Sequence, residues 1–139
     1  MKKAISSIII STIWISISEF VRNSFLVHKH WISHFQNLGI EFPEKPINGI
    51  IWGIWALCFS ITIYIIAKKF SLIQTTVLSW LMGFLLMWLV IGNLAILPIN
   101  ILYIAIPLSI LETFVATYII KKLGQFYNIR RYQFFGYYL

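Results

Sequence analysis

From Ile47 to Ala67 the chain carries no charged residue, and the run is closed by Lys68-Lys69. At 1.5 Å per residue a helix of that length covers a hydrocarbon core ~30 Å thick, so the run predicts a membrane span. A backbone in lipid has no water to bond. Helices and closed barrels are then the only spanning structures, and an unbroken apolar run selects the helix.

Three more runs have the same character. Met1-Lys2-Lys3 leads into a first span at about 4–27, Leu72 opens a third at about 72–97, and Pro98 with Asn100 turns the chain into a fourth at about 99–120. Lys121-Lys122 and Gly124 end the last one. A basic start before an apolar run has the parts of a signal peptide, but no small-x-small cleavage site follows, so the first span is expected to be retained. Composition agrees with lipid as the solvent: of 139 residues 60% are hydrophobic and 11% charged, against about a quarter charged in ordinary soluble domains. The expected fold is an all-α membrane protein, a four-transmembrane-helix antiparallel bundle over residues 1–124, with residues 125–139 as an aromatic and basic interfacial tail.

The net charge of +7 does not point to nucleic acid, because the cations flank apolar runs instead of forming one patch. Lys2-Lys3, Lys68-Lys69, Lys121-Lys122 and Arg130-Arg131 fall on one side, against Arg22, Lys29 and Lys45 on the other. This asymmetry predicts cytoplasmic N and C termini and an outer connection at 28–46. The tail, in which tyrosines and phenylalanines alternate with Arg130 and Arg131, suits anionic lipid at the inner leaflet.

Polar groups inside the spans carry the functional signal. Glu19 and Arg22 lie three apart on one helical face and can pair. Charges at bilayer depth cost ~2.5–3.5 kcal/mol each on insertion scales and normally face the protein interior. Thr12, Ser16, Glu19 and Asn23 follow spacings of four, three and four, and Ala105, Ser109, Glu112 and Ala116 repeat them in the fourth span. Glu112 has no basic residue at i±3 or i±4. With Asn93 and Gly92 from the third span, and Trp88 and Tyr103 as walls, these residues describe an outward-opening pocket that deepens toward Glu112. The candidate ligand- or proton-binding residues are therefore Glu19, Arg22, Asn23, Asn93, Glu112, Ser109 and Trp88. The plainer alternative is that the same groups only fix helix packing.

Gly49, Gly53, Ala56 and Ser60 form a small-residue ridge on the second span, a contact face for another span or for a second copy in a homodimer through Gly49/Gly53. Cys58 is the single cysteine, expected as a small buried hydrophobe, and it precludes an intrachain disulfide. In the outer connection His30 and His34 would share a face of a short helix, and with Glu41 or Glu44 they offer enough ligands for zinc, although a wet aromatic interface explains them more simply. No cofactor is expected, since no His lies at core depth in any span.

The pattern Glu19-Phe-Val-Arg22-Asn23-x-x-Leu26, the following Trp31, and Gly92-Asn93 with Leu111-Glu112 resemble small four-span bacterial membrane proteins of uncharacterised function. The resemblance implies the fold and a bacterial cytoplasmic (inner) membrane, and it brings no residue role with it. Small multidrug exporters also carry one Glu in their first span; here Arg22 follows within a turn and a second Glu lies in the fourth.

No nucleophile with its base, phosphate loop or metal-spacing motif appears, so the chain does not read as an enzyme. The leading expectation is binding or transport of a small polar or cationic solute, proton-linked through Glu112. The alternatives are a non-catalytic structural or accessory subunit, and a small intramembrane lipid-modifying enzyme resting on the two glutamates. Orientation is checked by cysteine labelling at Asn37 and Gln125 in whole cells. An impermeant reagent should reach Asn37→Cys and spare Gln125→Cys, and the opposite pattern would invert the topology.

Overall fold

The computed structural model describes residues 2–126, which fold into helices with no strand among them. Helix α1 (Lys2–Val21) runs on through one wider π-helical stretch, Arg22–Leu26, and α2 (His28–Asn37) follows. Helix α3 (Pro46–Ala67) starts with Pro46 in its first turn, where the missing N–H is not needed. Helix α4 (Leu72–Trp80) passes through a second π-helical stretch, Leu81–Leu85, into α5 (Leu86–Asn93). Its start is fixed by a capping box between Ser71 and Gln74. A 3₁₀ turn, Ile99–Ile101, leads into α6 (Leu102–Leu123).

Among the described residues four continuous helices are long and apolar enough to cross a membrane: Lys2–Leu26, Pro46–Ala67, Leu72–Asn93 and Ile99–Leu123. They gather as a bundle in which α1 packs on α3 and α6, α4 packs on α3 and α6, and α3 touches α6. The third span stops at Asn93, short of the expected 97. Ala95 takes a left-handed conformation (φ 58°), and the N–H groups of Ile96 and Leu97 both turn back to the carbonyl of Ile91. That cap satisfies orphan carbonyls at the helix end and tucks Leu97 inside. The tail beyond Phe126 lies outside the described residues, and so does its expected contact with anionic lipid.

The interior is more polar than the surface. On α1 the residues Ile5, Ile9, Ile13 and Ile17 point outward while Ser7, Ser11, Ile15 and Glu19 are buried. Where lipid is as apolar as any core, helices gain by close approach and shared hydrogen bonds, which small and hydroxylic residues allow. Ser60 donates to Ser11 across the α1–α3 contact (3.3 Å), and Thr113 bonds back to the carbonyl of Ser109 (2.8 Å). At the far end of α6 the buried Lys121 ammonium donates to the carbonyls of Ala67 (2.9 Å) and Phe70 (2.7 Å). A cation there matches the negative end of α3.

An aromatic stack fills the space between α3 and the third span. Phe59 stacks on Trp55 (5.0 Å) and meets Phe84 edge-on (5.6 Å). Gly83 makes this possible, since a Cβ there would come within 2.5 Å of the Phe59 ring. Two expectations for α3 change. Cys58 is exposed on the outer face of the helix, because the 3.6-residue repeat that buries Ala56, Phe59, Ser60 and Ile63 turns position 58 away. The small-residue ridge divides, with Ala56 and Ser60 buried while Gly49 and Gly53 have no atom within 4 Å of where a Cβ would stand.

Candidate functional site: a charge cluster between the first and last spans

Two adjacent rows of α1 residues build the site. Ser7, Ser11, Ile15 and Glu19 form the buried row, and Trp14, Ser18 and Arg22, also four apart, all reach Glu112 of α6. The Trp14 indole N–H donates to the backbone carbonyl of Glu112 (3.0 Å). Ser18 donates its hydroxyl to Glu112 Oε2 (2.8 Å), and Arg22 Nη1 donates to the same oxygen (3.2 Å). The other guanidinium nitrogen, Nη2, is ion-paired with Glu19 Oε1. One cation thus bridges two carboxylates from different spans.

Burial makes this arrangement energetically consequential. Glu19 is 6% exposed, Arg22 5% and Glu112 0%. Charges so removed from water need partners, and breaking a buried pair costs ~3–5 kcal/mol because an uncompensated charge is left behind. The remaining acceptors are largely filled. The Asn23 amide donates to Glu19 Oε2 (2.7 Å) and to the Glu19 carbonyl (3.0 Å), and its own oxygen accepts from the Trp31 indole (3.3 Å). The guanidinium carbon lies 5.2 Å from the centre of the Phe84 ring, within cation–π range. Glu112 Oε1 is buried without a hydrogen-bond partner. With all three groups ionised the cluster carries one net negative charge, so it has room for one proton or one other cation.

The two π-helical stretches meet here. Arg22 opens the first, and Phe84 sits in the second. An inserted residue rotates everything beyond it, and such stretches occur often at functional positions in helices. In the first, the Val27 N–H reaches back to the Arg22 carbonyl (3.0 Å), and from there the chain turns into α2.

A cavity of about 610 Å³ opens beside the cluster, between α1 and the start of α3. Ser16, Glu19 and Asn23 form one wall, Gly49, Trp52 and Gly53 the other, and His28, Phe42 and Glu44 come from the connection. Glu19 therefore belongs both to the buried cluster and to the cavity.

The remaining expected site residues fall elsewhere. Ser109 is buried next to the cluster, accepting from the Trp80 indole (2.8 Å) and donating to the Ile106 carbonyl (2.9 Å). Trp88 is one layer away, ringed by Trp80 (6.2 Å) and Phe84 (5.5 Å). Asn93 is exposed at the end of α5; five residues beyond Trp88, it sits about 140° round the helix from the buried face. Tyr103 is 68% exposed and forms no wall. The cavity follows the α1–α3 side and does not deepen to Glu112, which is absent from its lining. His34 donates to the Ala95 carbonyl (2.8 Å), and His30 accepts from the Asn100 amide (3.2 Å). They tie α2 to the connection before α6, and no group of three metal-binding side chains gathers among the described residues.

Trp14, Ser18, Trp31 and Phe84 are site residues that sequence reasoning passed over. A usable signal existed for two of them, because Trp14 and Ser18 precede Arg22 at intervals of four. No family model, curated protein or solved structure matches this chain.

The bridge makes a thermodynamic prediction. In a double-mutant cycle on stability in detergent, Arg22→Gln should cost ~3–5 kcal/mol, since it leaves two carboxylates facing each other. Adding Glu112→Gln should recover part of that loss, with a coupling energy of ~0.5–3 kcal/mol. Strict additivity would mean that Arg22 and Glu112 do not interact.

Proposed function

We propose that this multi-pass membrane protein binds a small cationic or strongly hydrogen-bonding solute at Glu19 and carries it across the membrane in exchange for a proton held by the Glu19–Arg22–Glu112 cluster. In this reading the four spans run antiparallel in a bacterial inner membrane, with both termini cytoplasmic, as the distribution of Lys and Arg favours. The cavity then opens on the outer side.

One observation carries the reading: Glu19 lines a cavity of about 610 Å³ while also ion-paired inside a cluster that holds two carboxylates against one guanidinium. A cation arriving at Glu19 supplies the positive charge that a proton otherwise supplies, so the two compete for one place. Arg22 passes this competition to Glu112, because drawing the guanidinium toward one carboxylate weakens its bond to the other. The unpartnered Oε1 of Glu112 gives the proton a position away from the cavity. Trp52 and Phe42 add aromatic faces on which an organic cation can rest.

A second reading has its own observation. Trp14, Ser18 and Arg22 all bond α1 to α6 through Glu112, which is what a structural or accessory subunit needs to hold its spans together.

The readings separate in lipid nanodiscs titrated with tetramethylammonium and guanidinium, with urea as the neutral counterpart of guanidinium. Solute binding predicts that the cations bind, that they release protons into weak buffer, and that Glu19→Gln weakens them by about tenfold or more, a loss of ~1.4 kcal/mol. Absence of cation binding to the wild-type protein, or cation binding unchanged by Glu19→Gln, would refute this proposal and leave the structural reading.

A further inference from the structure

The cavity beside Glu19 has its rim on the lipid-facing surface. Phe20 is 61% exposed, Phe25 70% and Trp52 47%, yet all three line the cavity. Between them, on α3, Gly49 and Gly53 present bare backbone with no atom within 4 Å of a would-be Cβ. Glycines four apart in a membrane helix ordinarily bring another helix into contact. Here they border open space between α1 and α3, on helices long and apolar enough to cross a membrane. Glu19 lies at the same space, 6% exposed and ion-paired with Arg22.

Resting on the solute-binding reading above, we propose that the cavity is entered sideways from the bilayer by an amphiphile with a compact cationic head and a single apolar chain. The head meets Glu19 between the rings of Phe20 and Trp52. The chain lies in the groove along Gly49 and Gly53, with the exposed ring of Phe25 at its edge. Charge selects the head, because the cluster has one negative charge in excess when fully ionised. The glycine floor selects one slim chain, since any side chain there would occupy the groove.

A photoreactive probe tests this: an alkyltrimethylammonium with a diazirine in its chain, added to the full chain in nanodiscs, with labelled positions mapped by mass spectrometry. Labelling should concentrate on Phe20 and on residues 49–53, should be competed by excess tetramethylammonium, and should fall by about tenfold in Gly53→Leu. Gly49→Leu serves as the second groove-filling variant should Gly53→Leu not give folded protein. Labelling spread evenly over outward residues such as Ile9 and Ile73, or unaffected by tetramethylammonium or by the leucine variants, would overturn the proposal. If tetramethylammonium binds the protein but does not compete, lateral entry alone fails; if it does not bind at all, the cation-binding reading fails with it.

Discussion

A single guanidinium shared by two carboxylates holds the arrangement together. Arg22 lies between Glu19 on its own span and Glu112 on the last one, and all three side chains are buried. Removing the arginine would leave two buried carboxylates without their shared cation, and charges stranded at depth are costly. The bridge thereby fixes the rotation of α1 against α6. Ser18 and Trp14 add hydrogen bonds to the same target, so three residues at intervals of four form one edge of the interface.

The rest of the bundle accommodates this cluster. Buried hydroxyls of Ser7, Ser11, Ser60 and Thr113 allow the helices to come close without bulky side chains, which in lipid matters more than apolar area. Phe84 reaches beneath the guanidinium from the π-helical stretch of the third span. The absence of a side chain at Gly83 lets Phe59 pack behind it. On the other side of Glu19 packing stops, and the uncovered glycines of α3 border a cavity. A tight α1–α6 contact thus sits opposite an opening between α1 and the start of α3, with Glu19 belonging to both. That asymmetry is the feature on which the solute-binding proposal rests.

Much of the fold was legible because lipid imposes length and continuity. The apolar run ending at Lys68-Lys69, the proline at position 46 and the Ser71–Gln74 cap each mark a boundary by a local rule. Leu94, Ile96 and Leu97 are apolar and extend the third span on paper, and only the backbone turn at Ala95 reveals where helical bonding stops. In the site, Glu19–Arg22 was readable from spacing alone. The inward face of α6 was equally readable from Ala105, Ser109, Glu112 and Ala116, all of which are buried. The union of Arg22 with Glu112 was not, because residues 90 positions apart share no pattern in one chain. Asn93 and Cys58 show the converse: a residue type suggests a role or a degree of burial, while its angle round the helix decides.

The account stands or falls on whether Arg22 bridges the two spans in a bilayer. Solid-state NMR can measure it directly, by dipolar recoupling between the Arg22 guanidinium nitrogens and the Glu112 carboxyl carbon, with Glu112→Gln to assign the signal. An Nη1 to Oε2 hydrogen bond of 3.2 Å places that carbon within ~4 Å of the nearer nitrogen, and strong recoupling is the expected result. A separation beyond ~6 Å, too far for any direct hydrogen bond between the two groups, would contradict the bridge and the exchange of proton for cation built upon it.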